Sequence, residues 1–169
     1  MLESLENNLI EVKNASSELT LHSFERRKEC LEILSKKLLE NSEKIININT
    51  KEIDKSSAKG IDSHVLERMK ITESTIQRMV DSLLTVSNLK DSVLEVIDSN
   101  IRENELKVEK VRVPLGVLGV IFESRPNVVI EIASLAIKSG NGLVMRGGSD
   151  CIETNLALFK LVSESLKES

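Results

Sequence analysis

The sequence predicts an α/β chain in three parts: a helical amino-terminal layer (residues 1–90), a β-ribbon arm (91–113) and the opening of a parallel sheet (114–169). Three observations carry this reading. Apolar residues recur at helical spacing as far as about residue 90. Between 91 and 113, apolar and charged residues alternate with the period of a strand. Beyond that, six of the seven glycines and both prolines fall within Arg112–Ser149, around two short apolar runs.

In the helical part, Leu2, Leu5, Leu9 and Val12 mark one face of a first helix, expected to end near Asn14–Ser17. A longer helix follows from about Ser23, with Phe24, Leu31, Leu34, Leu38 and Ile45 on one stripe and charged residues opposite. Shorter pieces cover Lys51–Ala58, stopped by Gly60, and Ser63–Met69. Thr72 is placed to cap another, with Ile76, Met79, Val80, Leu83 and Leu84 facing inward. This half reads as a packing layer; His22 and His64 are isolated and read as structural or exposed.

In the ribbon, Val93–Ile97 form one arm, Asp98-Ser99-Asn100 the turn, and Leu106–Val113 a second arm with one wet face. A free edge of this kind commonly pairs with another chain, so the ribbon 93–113 is a candidate homo-oligomer contact.

From Pro114 onward the order is strand (117–122), helix (126–138), strand (143–146), helix (150–166). The two runs lack polar alternation, the pattern of strands buried on both faces. Pro126 suits a first helical turn. Val128, Ile132, Leu135 and Ala136 mark an inner stripe, and Gly140 a left-handed terminator. The last helix carries Ile152, Leu156, Phe159 and Leu166 on one side, widened by Leu158 and Leu161. Strand–helix–strand–helix is the grammar of a Rossmann-like sheet. Two strands do not complete one, so the sequence is expected to be the front portion of a longer fold.

Composition narrows the function. A net charge of −4 and an aromatic content of 2 %, with neither Trp nor Tyr, argue against nucleic-acid binding. No apolar run approaches the ~20 residues of a membrane span. The acidic amino terminus lacks signal-peptide and transit-peptide features, which points to the cytoplasm. Cys30 and Cys151 form no CxxC spacing and no histidines cluster, so no zinc site or disulfide framework is read.

Chemistry is expected in the two loops that follow the strands, where open α/β sheets bind ligands. Asn127 offers an amide donor suited to a developing oxyanion, or a local helix cap. Arg125 suits a carboxylate or phosphate, or a loop tie with Glu123 as partner. Arg146-Gly147-Gly148-Ser149 offers a cation, two permissive backbones and a hydroxyl at a helix start, which suits a phosphate. Asp150 and Glu153 in the same first turn would repel an anion on the helix axis, so the phosphate is expected to one side, on Arg146 and Ser149. Gly116 and Gly119 make a G-x-x-G around the first strand, for tight packing or cofactor proximity; G-x-G-x-x-G is absent. Cys151 sits where a helix dipole can lower a thiol pKa, but Asp150 and Glu153 oppose that.

RVPLGVLGVIFESRPNVV, followed by KSGNGLVMRGGS, closely resembles the γ-glutamyl phosphate reductase (glutamate-5-semialdehyde dehydrogenase) family of the aldehyde dehydrogenase superfamily. RMKIT and SNLKD extend the resemblance over the helical part. It implies an aldehyde dehydrogenase-like fold and NADPH-dependent reduction of L-glutamyl 5-phosphate to the semialdehyde, in proline biosynthesis. In that family a cysteine thiolate displaces phosphate to give a thioester that accepts hydride. The resemblance implies that Asn127 lies near the acyl oxygen and that Arg146 lies at the adenosine ribose. Ser149 stands where NAD-preferring relatives carry a glutamate, leaving room for a 2′-phosphate. The family's catalytic cysteine has no counterpart here; neither Cys30 nor Cys151 inherits its role, and the chain is expected to be inactive alone. Two alternatives stay open: a non-catalytic assembly module, and a related enzyme acting on another aldehyde or acyl donor.

Overall fold

The computed structural model describes residues 2–169, with side chains from residue 5 onward; Leu2 of the first stripe lies outside those described side chains. The amino-terminal half is helical: α1 (Leu2–Leu21), α2 (Phe24–Glu40), α3 (Ser42–Ala58), α4 (Ser63–Met69) and α5 (Glu73–Ser87). The carboxyl-terminal part adds β1 (Val96–Ile101), β2 (Lys107–Val111), β3 (Val117–Ile121), α6 (Val128–Lys138), β4 (Gly142–Arg146) and α7 (Ile152–Glu168), with a short 3-10 turn at Ser149–Cys151.

Several helix boundaries follow from local chemistry. The Ser23 side chain accepts from the Arg26 amide at the start of α2, and the Thr72 side chain accepts from the Thr75 amide at the start of α5. Gly60, at φ +81°, ends the turn after α3. Other boundaries depart from the sequence reading. The first helix continues through Asn14–Ser17 to Leu21: the Ser16 hydroxyl turns back onto the Lys13 carbonyl at 2.8 Å, so these polar residues do not compete with the helix. The stripe predicted as one helix through Ile45 is broken at Asn41, whose side-chain amide donates to the Lys37 carbonyl at 2.8 Å.

The core lies between α2, α5, α6 and α7, around Leu31, Leu34, Leu38, Ile76, Leu83, Ile130 and Leu158. On α6 the inward face differs from the expected one, and on α1 and α7 most described residues of the apolar stripes read from the sequence are exposed. Leu5 and Leu9 are exposed, and among the described side chains of α1 the buried one is Ser16, packed near Gly142. The inner face of α6 is Val129, Ile130, Ala133, Ala136 and Ile137, and Leu135 is exposed. On α7, Leu158, Leu161 and Val162 point inward while Ile152, Leu156, Phe159 and Leu166 point out. Leu84 of α5 is exposed as well. Where a helix is apolar around most of its circumference, the neighbours decide which stripe is buried.

The ribbon is an antiparallel pair, with Val96 opposite Val111 and Ile101 opposite Lys107. Its reversal falls at Arg102–Leu106 and not at Asp98-Ser99-Asn100, which lie within β1. The Arg102 amide donates to the Leu106 carbonyl, and Glu105 takes a positive φ of +66°. Both arms are exposed throughout, with no covered face.

β3 and β4 pair in parallel, with Leu118 beside Leu143 and Ile121 beside Arg146. The sequence predicts strands buried on both faces; neither strand is fully buried, and β3 keeps an exposed face. Leu143, Met145 and Phe122 pack against the core, whereas Ile121 on the other face is 80 % exposed. The physical reason is that α6 and α1 pack mainly on β4, so β3 keeps an uncovered face. α6 ends as expected at Gly140 (φ +71°), but begins at Val128, leaving Pro126 and Asn127 in the preceding turn. The Asn141 side chain accepts from the Gly116 amide at 2.9 Å, fixing the entry to β3 from the exit of α6.

No described helix is long and apolar enough to cross a membrane.

Candidate functional site

β3 and β4 end together. Ile121 pairs with Arg146, and the Phe122 amide donates to the Arg146 carbonyl at 3.0 Å. The loops leaving these strand ends, 122–127 and 147–151, wall a cleft of about 770 Å³. Arg68, Arg125, Arg146 and the Gly147-Gly148-Ser149 backbone line it.

The loops hold each other at short range. The buried Ser124 hydroxyl donates to an Asp150 carboxylate oxygen at 3.4 Å. A Cβ on Gly148 would lie 2.7 Å from the Ser124 Oγ, and one on Gly147 would clash with the Asn155 Nδ2 and lie 2.9 Å from the Phe122 ring. Both glycines are therefore required by loop-to-loop packing. Gly116 and Gly119 behave differently: nothing lies within 4 Å of either Cβ position, and Gly116 is needed for its φ of +109°. Tight packing explains neither glycine within the described residues.

Three arginines, Arg68, Arg125 and Arg146, and two carboxylates, Glu123 and Asp150, line the cleft. Among the described residues, neither Arg125 nor Arg146 forms an ion pair, and both are exposed. Glu123, a sequence-level partner for Arg125, pairs instead with Arg68 at 3.3 Å, through exposed side chains that make the pair weak. Arg125 is thereby left to the cleft.

Asn127 sits apart from Arg146. Its side-chain amide donates to the Glu131 Oε1 at 2.8 Å and makes no backbone cap. It lines a neighbouring depression, which shares Arg68 and Arg125 with the main cleft.

The N-terminus of α7 is already taken. The Glu52 carboxylate of α3, 4 % exposed, accepts from the Glu153 amide at 2.6 Å, the Thr154 amide at 3.0 Å and the Thr154 hydroxyl at 2.6 Å. A carboxylate on these donors neutralises the positive end of the helix dipole. An anion in this cleft must therefore lie to the side of the helix axis.

Neither cysteine is poised as a nucleophile. Burial, with a smaller contribution from Glu52 and Asp150, pushes the Cys151 thiol up to about 11. Burial likewise raises the Cys30 thiol above its ordinary value. Among the described residues no group of three or more His, Cys, Asp or Glu is placed to hold a metal ion.

Sequence reasoning missed Arg68, Ser124 and Glu52. Arg68 and Ser124 carry no local signal. Glu52 does: Ile45, Asn49, Glu52 and Ser56 are all buried and continue one helical stripe with polar side chains. Three polar residues at core spacing imply partners elsewhere. Asn49 supplies one set, donating to the Met69 carbonyl at 2.9 Å and accepting from the Ile71 amide at 2.7 Å.

No protein-family model matches the chain. It is similar to curated γ-glutamyl phosphate reductases. That of Oceanobacillus iheyensis is 36 % identical over 157 residues, covering 93 % of this chain and 38 % of the relative. That of Escherichia coli O1:K1 is 37 % identical over 163 residues, covering 96 % and 39 %. The crystal structure of the Thermotoga maritima γ-glutamyl phosphate reductase superposes with a TM-score of 0.94 at 36 % identity, covering 98 % of this chain and 40 % of that one. A probable aldehyde dehydrogenase from Listeria monocytogenes, at 18 % identity and a TM-score of 0.62, shares the fold. The chain thus has an aldehyde dehydrogenase-like fold and spans about 40 % of the length of the reductases it matches.

Proposed function

We propose that this chain forms the nucleotide side of an NADPH-dependent γ-glutamyl phosphate reductase, which converts L-glutamyl 5-phosphate to L-glutamate 5-semialdehyde and releases phosphate in proline biosynthesis. The observation that carries the reading is the joint cleft at the ends of β3 and β4, where two arginines without an ion pair among the described residues flank the Gly147-Gly148-Ser149 backbone. Similarity to reductases over more than nine-tenths of the chain supports it.

The donor set fits a phosphorylated nucleotide. Arg146 supplies a guanidinium suited to phosphate oxygens, and Ser149 a hydroxyl without the charge clash an acidic residue would bring. NADPH, when bound, supplies the hydride. Because Glu52 closes the tip of α7, Arg146 and Ser149 hold the phosphate beside the helix. Arg125, on the rim, attracts the substrate's acyl phosphate. Asn127 donates to the acyl oxygen once its amide leaves Glu131, stabilising charge that develops there. The displacing thiolate is neither Cys30 nor Cys151, since burial keeps both protonated. We place the protein in the cytoplasm, and assign the exposed ribbon to contact with a second copy.

Calorimetric titration of NADPH into the wild type and Arg146→Ala tests the cofactor seat. The expected result is a loss of affinity of about tenfold or more in the variant; equal heats remove Arg146 from the site. Turnover is tested separately. The purified chain is expected to give no phosphate-dependent oxidation of glutamate 5-semialdehyde, and detectable turnover would overturn the exclusion of its cysteines.

A further inference from the structure

Beside the cleft, the depression around Asn127 has a volume of about 290 Å³. That is at the lower limit of small-molecule sites, the size for an amino acid and not for a dinucleotide. Three helices build it: α4 brings Glu67 and Arg68, α5 brings Thr75 and Arg78, and α6 brings Glu131. Lys70 and Arg125 complete the charges, so four cations face two carboxylates.

The pairing within this set is incomplete. Among the described residues Lys70 and Arg78 form no ion pair. Arg78 reaches only the Ser74 carbonyl and the Thr75 hydroxyl, both at 3.4 Å. Among the described residues the Glu131 carboxylate is held only by the Asn127 amide, at 2.8 Å. A site for phosphate alone has no use for Glu67 and Glu131. A zwitterion needs both signs: guanidinium or ammonium groups for its carboxylate, and a carboxylate for its ammonium.

We propose that this depression seats the α-amino-acid head of the glutamyl substrate, with Arg78 and Lys70 on the α-carboxylate and Glu131 on the α-ammonium. The side chain of the substrate then runs past Asn127 and Arg125 toward the cleft. Drawing Glu131 onto the ammonium also releases the Asn127 amide for the acyl oxygen. The assignment rests on reading the neighbouring cleft as the nucleotide seat.

Two-dimensional NMR of the ¹⁵N-labelled chain tests it, with L-glutamate, glutarate (which lacks the ammonium) and NADPH as separate probes. L-Glutamate is expected to shift amides within 67–79 and 125–131, and glutarate to bind about tenfold more weakly. Arg78→Met should weaken L-glutamate by about tenfold. Glu131→Gln should weaken L-glutamate and leave glutarate unchanged. The same spectra report whether each variant is folded, and Lys70→Met replaces Arg78→Met should that variant unfold. No glutamate shifts at these amides, or equal affinity for glutarate, overturns the proposal. If NADPH still shifts 121–125 and 146–149 in that case, the nucleotide seat survives and only the amino-acid seat falls. If NADPH shifts nothing as well, both readings fall.

Discussion

Glu52 on α3 receives the hydroxyl of Thr154 on α7 at 2.6 Å and the Thr154 amide at 3.0 Å. One buried carboxylate thus caps a helix a hundred residues away and closes its anion-binding end. Glu52→Ala removes the cap and leaves buried donors without a partner, an expected cost of about 2–3 kcal/mol. Urea unfolding measures it, and sulfate should then stabilise the variant more than the wild type, because the helix end is open again.

The raised thiols set an alkaline limit. Burial pushes the Cys151 thiol up to about 11, against 9.0 for the ordinary thiol. Unfolding above pH 9 therefore releases a proton that the folded state retains, so stability is fully present below pH 9 and falls as pH rises toward 11. Cys30, raised in the same direction, adds to the slope. Unfolding midpoints across pH 8–11 should fall less steeply in Cys151→Ala than in the wild type.

The glycines of the site should respond unequally. Gly147→Ala forces a methyl against Asn155 and Phe122, with an expected cost of about 1–3 kcal/mol. Gly119→Ala meets open space and should change stability by less than about 0.5 kcal/mol. Thermal unfolding of both variants checks the contrast.

Arg27 is buried and holds Asp91 through both carboxylate oxygens, at 2.9 and 2.8 Å. Asp91→Ala strands that charge and should cost about 3 kcal/mol. Asp91 also accepts from the Val93 amide at 3.1 Å. Hydrogen exchange at the base of the ribbon should therefore quicken in this variant, while the amides of α3 stay protected.

Val96→Lys with Ile101→Lys tests the ribbon contact. Both residues are exposed, so the unfolding midpoint of the isolated chain should stay put. Sedimentation should show loss of any self-association; an unchanged oligomer would assign the contact elsewhere.

Much of this architecture was legible because it is local. Thr72 and Ser23 announce helix starts through their own hydroxyls, Gly60 and Gly140 announce ends through positive φ, and the strand–helix–strand order places Arg125 and Arg146 at the same sheet end. What failed was also consistent in kind. Leu135 and Leu84 are expected inward but lie exposed, because their helices carry more apolar residues than one face can bury. The ribbon turn was placed at Asp98-Ser99-Asn100 because those residue types favour turns, although pairing with β2 keeps them extended.

The sequence by itself determined the order of a helical layer, a ribbon and a strand–helix–strand–helix series, and that the loops after β3 and β4 leave the same sheet end. Only the tertiary structure decided that Glu52 occupies the α7 terminus, that Glu123 turns to Arg68, and that Asn127 opens beside the cleft lined by Arg146 and not into it. The reason is physical: period, caps and turn chemistry act over a few residues. Which charges meet depends on how helices distant in sequence pack, and no local pattern encodes that.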